Sequence, residues 1–113
     1  MKESDFQSDI IDAATKLGYE HYHTHRSDRS DPGFPDLVLV SVAKARVVFI
    51  EVKGDNGQVT PEQAHWHEIL AICDEEVYVV RPENFDELVE ILMLPSKPSK
   101  TVRLGTETAV VSV

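Results

Sequence analysis

The chain has 113 residues, 42% of them hydrophobic, which amounts to one domain with material for a real core. It has no apolar run near 18 residues and opens on MKESDFQSDI without an apolar leader, so neither a membrane span nor export is expected and the cytoplasm (a host's, if the chain is viral) is the expected compartment. A formal net charge of -9 argues against a generic nucleic-acid binder.

Residues 3–17 carry Phe6, Ile10, Ala14 and Leu17 at helical spacing, one stripe of an amphipathic helix. Ser4 or Asp5 is expected to cap its start and Gly18 to end it. Tyr19 to His25 predicts a short strand, and RSDRSDPGFP a polar loop in which Gly33 serves a tight turn. DLVLVSV (36–42) and RVVFIEV (46–52) are rich in β-branched residues and joined by Ala43-Lys44-Ala45, a hairpin signal. Both runs are nearly continuous, which predicts strands covered on both faces.

Thr60-Pro61-Glu62-Gln63 supplies an N-cap, a proline at N1 and a glutamine at N3, and the helix it starts runs to about Cys73. Its expected apolar face is Trp66, Ile69, Leu70 and Cys73, with Trp66 and the single cysteine in the core; one cysteine forms no internal disulfide. Residues 76–80 predict a strand and Pro82 to Leu92 a further helix. The helix between the strands at 46–52 and 77–80 makes a β-α-β crossover and therefore a parallel pair. The order is α-β-β-β-α-β-α, an α/β (α+β) domain over 1–93 with helices on both faces of a mixed sheet. LPSKPSK (94–100) is a linker, and residues 94–113 are expected to form a strand-like extension packed on the same domain.

Glu51 and Lys53 lie two apart on one strand, so they share a face while Val52 points to the other. If the hairpin turns on two central residues, Asp36 stands opposite Glu51 or Lys53 and joins that face. Gathering three ionisable groups at the end of an apolar sheet without purpose would cost on the order of several kcal/mol. With one or two divalent cations among them, the two carboxylates become hard oxygen ligands, the arrangement phosphodiester cleavage needs. Asp36 and Glu51, with the backbone carbonyl of Val52 as a candidate third ligand, would hold Mg²⁺ or Mn²⁺. Lys53 would orient or deprotonate the attacking water, or neutralise charge developing on the phosphate. Pro-Asp opening one apolar strand, with Glu-Val-Lys closing the next, is far more specific than the bare spacing. The competing reading is surface salt bridges plus an Asp that caps a turn.

Charge distribution softens the objection from the acidic total. Glu62 to Glu90 holds nine acidic residues and one basic, whereas Met1 to Asn56 holds ten acidic and seven basic. Two of those ten are Asp36 and Glu51. Arg26, Arg29, Lys44 and Arg46 are candidates for phosphate contacts, and His23 for lining the groove beside Arg26 and Arg29. A zinc site from His21, His23 and His25 would need Cys73, His65 or His67 to come close, and is the lesser reading.

SDFQ…Gly18, PGFPDLVLV, FIEVKG and G-Q-V-T-P-E-Q-x-x-W together resemble the virus-type replication-repair nuclease (VRR-NUC) domain of the PD-(D/E)XK superfamily, over residues 3 to about 90. The resemblance implies a restriction-endonuclease-like fold, a phage or DNA-repair setting and Mg²⁺- or Mn²⁺-dependent cleavage of DNA, often at junctions or flaps. It also implies a homodimer like the archaeal Holliday-junction resolvases. Asp36, Glu51 and Lys53 match its catalytic set, and Gln63 and Trp66 its helix motif. The outer carboxylate matches Glu3, or is replaced by the neutral Gln7, which would then face the DNA. Gln63 would hydrogen-bond Lys53 or a phosphate, or else close a capping box; one amide conformation is not expected to do both. The rival functions are a silent DNA-binding or interaction module of the same fold, and the nuclease subunit of a larger repair or replication machine.

Overall fold

The computed structural model describes residues 2–24 and 31–98, and the backbone of 102–104 and 107–109. The first helix, α1 (Glu3–Lys16), buries Phe6, Ile10 and Ala14. It begins before Ser4 and Asp5, with Lys2 as an uncapped N-cap, so neither proposed cap is used; Glu3 and Asp5 instead place negative charge in the first turn, beside the positive end of the helix dipole. Gly18 ends α1 at φ +89°, a conformation costly for a residue with a Cβ, and Tyr19 N–H returns to the Ala14 carbonyl at 3.0 Å.

Strands β1 (Glu20–His23), β2 (Leu37–Ser41), β3 (Arg46–Val52) and β4 (Glu76–Val80) form one sheet in that order. β1–β2 and β2–β3 are antiparallel, and β3–β4 is parallel, as the crossover requires. The crossover helix is α2 (Pro61–Ile72); a 3-10 turn at Pro82–Asn84 then leads into α3 (Phe85–Met93). The short strands β5 (Val102–Leu104) and β6 (Glu107–Ala109) pair as an antiparallel hairpin. This is the expected α-β-β-β-α-β-α order, closed by the terminal hairpin. Among the described residues no helix is long and apolar enough to cross a membrane.

One face of the sheet carries the core. Leu37, Leu39, Val48, Ile50, Val52, Tyr78 and Val80 pack there against Phe6, Ile10 and Ala14 of α1 and Leu88, Ile91 and Leu92 of α3. The other face is covered only in part, by α2. Beneath it Val77 and Val79 of β4 are buried, while Val47 of β3 is 38% exposed and Tyr22 of β1 63%. The two hairpin strands are therefore not fully enclosed on both faces, since a helix of 12 residues lies over β4 and the end of β3, and beyond it Val38, Val40 and Phe49 are only half-buried. For the same reason α2 buries no residue fully: Trp66, Ile69 and Leu70 are half-buried, and Cys73, its C-cap, is exposed rather than in the core.

The far end of the core, where β3 begins, is closed by a polar network. Arg46 grips Glu76 through two bonds of 2.7 and 2.9 Å, both side chains being inaccessible to solvent. Tyr78 donates to Glu76 at 2.8 Å, Arg46 donates to the Tyr19 hydroxyl at 3.1 Å, and Tyr19 donates to the Leu92 carbonyl at 2.8 Å. Among the described residues no buried side-chain polar atom lacks a hydrogen-bond partner, the condition under which such a network is tolerated.

Candidate active site

The β2–β3 register pairs Leu37 with Ile50 and Ser41 with Arg46, so one step further Asp36 falls opposite Glu51. That is one of the two alignments expected of the hairpin. Because side chains alternate, Glu51 and Lys53 lie on the face that α2 covers, opposite the core. They are only 1% and 6% exposed. Asp36 is half-buried, and its Oδ2 accepts the Val52 N–H at 2.8 Å. A strand residue turns its N–H and C=O toward the same neighbour, so the Val52 carbonyl also faces the Asp36 side.

Three local constraints bring the Pro-Asp segment to this point. Just after β1, Thr24 donates its N–H to the Asp36 carbonyl and its hydroxyl to the Pro35 carbonyl, both at 2.9 Å. From α2, the Trp66 indole donates to the Pro32 carbonyl at 3.2 Å, and Phe34 stands edge-on between Trp66 and Phe49. Gly33 makes the approach possible. Its φ is +98°, and a Cβ there would sit 2.5 Å from the backbone carbon of Glu62. The glycine therefore serves close contact between two backbones as well as the turn for which it was expected.

α2 supplies the other wall. Thr60 caps it by accepting the Gln63 N–H at 3.1 Å, while the Gln63 side-chain oxygen accepts the Thr60 N–H at 2.9 Å. The amide nitrogen of the same side chain donates to Glu51 Oε2 at 3.2 Å. Gln63 thus closes the capping box and reaches the site at once. The expected alternative to the cap was a bond to Lys53 or a phosphate; the contact observed is instead to Glu51, and it uses the end of the amide that the cap leaves over. One turn later, His67 Nε2 stands 3.4 Å from Glu51 Oε1.

Lys53 is held by its own backbone and by the loop that follows. Its N–H donates to the Val80 carbonyl at 3.0 Å, and Gly57 lies against its stem, where an added Cβ would be 3.3 Å from Lys53 Cδ. Arg81, at the end of β4, ties this loop down with bonds of 3.1 and 2.7 Å to the carbonyls of Gly54 and Gly57. Among the described residues the Lys53 ammonium hydrogen-bonds to no protein acceptor, Gln63 included. The expected Gln63–Lys53 contact is absent: an ammonium only donates, and the Gln63 side-chain oxygen that would accept it is taken by the Thr60 N–H.

The remaining sequence candidates are divided. Glu3 and Gln7 are half-buried on the first turns of α1, whose Phe6 packs edge-on against Phe85 just beyond the end of β4. That places them at the site's end of the sheet, although among the described residues neither side chain hydrogen-bonds to Asp36, Glu51 or Lys53. His23 is half-buried and pairs with Leu37, so it also lies at this end. Arg26, Arg29 and His25 lie outside the described residues. Arg46 and Lys44, expected to meet phosphate, are engaged elsewhere. Arg46 is locked to Glu76 about 17 Å along β3 from Glu51, and Lys44 donates to the Leu92 carbonyl at 2.9 Å. Neither contributes to a surface at the site. Sequence reading missed Arg81 and the site role of His67. The second was available, since Gln63 and His67 are spaced i, i+4 and share a helix face.

The donor set of two carboxylates and a strand carbonyl has the hard-oxygen chemistry that suits Mg²⁺ or Mn²⁺. Among the described residues no group of three or more His, Cys, Asp or Glu side chains is arranged to hold a metal ion, Asp36, Glu51 and Glu3 included; His25 of the alternating histidines lies outside those residues.

A mixed sheet with Pro-Asp and Glu-x-Lys at the ends of adjacent strands, backed by a glutamine from the crossover helix, defines a nuclease-type domain. The family model of the VRR-NUC domain matches residues 2–83, and the chain belongs to that family. Among solved structures it is similar to Hjc of Archaeoglobus fulgidus, a Holliday junction resolvase from an archaeal hyperthermophile. That match has 19% identity over 69% of this chain and 67% of the other, with a TM-score of 0.50, and it shows a shared fold. No curated protein matches the chain.

Proposed function

We propose that the protein is a Mg²⁺- or Mn²⁺-dependent endonuclease that hydrolyses DNA phosphodiester bonds, selective for branched structures such as junctions or flaps. The observation that carries this reading is the bond from Val52 N–H to Asp36 Oδ2, which puts the first carboxylate on the rung of Glu51 at the sheet end where Lys53 emerges. Asp36, Glu51 and the Val52 carbonyl would hold the cation, with Glu3 as outer carboxylate or Gln7 in its place. Bound there, the cation supplies Lewis acidity toward a phosphate oxygen and makes water a better nucleophile near neutral pH. Lys53 positions or deprotonates the attacking water, or balances charge on the phosphate oxygens. Gln63 holds the Glu51 carboxylate in place.

Residues 1–93 form the proposed nuclease unit, with 94–113 as its extension, and the cytoplasm as its compartment. Two cuts in a symmetric junction call for two sites, and exposed Tyr22, Val42, Val47 and Ile72 offer apolar surface for a homodimer. The net charge of -9 favours, as a second reading, a nuclease subunit that meets DNA beside a basic protein partner.

The test incubates the protein with matched flap, junction and linear DNAs, with and without Mn²⁺, beside Glu51→Ala. Cation-dependent cutting of the branched DNAs that Glu51→Ala abolishes, with DNA binding kept, is the expected result. Cleavage unchanged in Glu51→Ala removes the enzyme reading. No cleavage by the wild type alone, regained with a copurifying partner, selects the subunit reading.

A further inference from the structure

We propose that His67 is a positioning residue for Glu51: with Gln63, one helical turn away, it grips both carboxylate oxygens and fixes the plane in which Glu51 faces the reaction. This deepens the nuclease reading above and rests on it. A glutamate carboxylate turns about a broad, nearly two-fold χ3 torsion, so one hydrogen bond fixes one oxygen and leaves the plane free to rock. Two donors on the two oxygens remove that freedom. Here Gln63 Nε2 is 3.2 Å from Oε2 and His67 Nε2 is 3.4 Å from Oε1.

Both arms are themselves fixed. The capping box consumes the Gln63 oxygen, so its nitrogen must be the end that faces Glu51. The His67 side chain is only 12% exposed, and Glu51 is 1% exposed. An imidazole N–H donates to a carboxylate oxygen, so the proposal assigns His67 the form that carries a proton on Nε2. Gln63 and His67 leave the α2 surface at i and i+4, so a single rigid helix sets both contacts. Positioning of this kind matters because groups behind a metal ligand set its direction, and losing one typically lowers metal affinity or activity about 10- to 100-fold.

The test compares His67→Leu, which removes the donor, with His67→Gln, whose amide nitrogen reaches about as far as the lost Nε2. Melting curves establish that both variants fold. Mn²⁺ affinity is measured by calorimetry, and the Glu51 ¹³Cδ resonance is recorded without metal. His67→Leu is expected to bind Mn²⁺ about 10-fold more weakly and to shift the resonance, while His67→Gln restores both toward wild type. Wild-type affinity and an unshifted resonance in His67→Leu would overturn the proposal, as would failure of His67→Gln to restore either. Should the wild type bind no Mn²⁺ and cut no DNA, the nuclease reading fails, and the metal-free resonance still decides whether His67 holds Glu51.

Discussion

Asp36 and Val52 are joined by a side-chain-to-backbone bond of 2.8 Å that continues the β2–β3 ladder one rung beyond the end of β2. A single carboxylate thereby closes the end of the inner strand pair and forms a wall of the site. The strand backbone at Val52 needs an acceptor there, and the proposed chemistry needs a negative charge.

These two needs separate by mutation. Asp36→Asn keeps a carbonyl oxygen for the Val52 N–H and loses only the charge, whereas Asp36→Ala leaves that N–H without its acceptor, at about 1–3 kcal/mol. Cleavage is expected to vanish in both. Thermal melts are expected to show Asp36→Asn close to wild type and Asp36→Ala clearly lower.

Gln63 combines a cap with a contact to Glu51, and these also come apart. The substitution Gln63→Glu still closes the capping box, which accepts a glutamate or a glutamine at this position. It also sets a second carboxylate against the buried Glu51. The helix start should survive by circular dichroism while cleavage falls at least about 10-fold, the usual scale for losing a group behind a metal ligand. Gln63→Ala is expected to lower cleavage and also to cost about 1 kcal/mol from the lost cap, read from the melting midpoint.

The Arg46–Glu76 pair predicts a loss of stability without loss of DNA contact. Removing one partner strands a buried charge, so Glu76→Ala should destabilise the fold by about 3–5 kcal/mol. Arg46→Met should leave the salt dependence of DNA binding unchanged, measured at a temperature where it remains folded. A shallower salt slope would return Arg46 to the DNA-contacting set.

The same network sets an alkaline limit. Burial pushes the Tyr78 hydroxyl far above the ordinary phenol range, and the charge and hydrogen bonding of Glu76 add to this. Burial also raises Tyr19, against the opposing charge of Arg46. For Arg46 burial pulls downward, but its bond to Glu76 and the charge there prevail and hold it above its usual value. In the unfolded chain the phenols ionise near about pH 10, while the folded chain keeps those protons to higher pH. Their stabilisation is complete below about pH 10 and declines as pH rises toward the folded values. Denaturation midpoints should fall above about pH 10, and Tyr78→Phe should flatten that fall while costing about 1 kcal/mol near neutrality.

The order of elements and the α2 capping box were legible in the sequence, which also narrowed the hairpin register to two alignments and singled out Asp36, Glu51 and Lys53 as candidates. Each depends on short-range rules: side chains alternate along a strand, helices repeat every three or four residues, and Thr-Pro-Glu-Gln can close a cap on itself. What tertiary structure decided is how those pieces meet. The burial of Arg46, the exposure of Cys73, the double duty of Gln63 and the approach of His67 to Glu51 all depend on where α2, α3 and β4 come to rest against β3. A cation at a strand end looks the same in sequence whether it meets phosphate or a carboxylate thirty positions away. Only the parallel pairing of Val48 with Glu76 brings that carboxylate to Arg46. Local patterns specify which face a side chain takes, and long-range packing specifies what is waiting on that face.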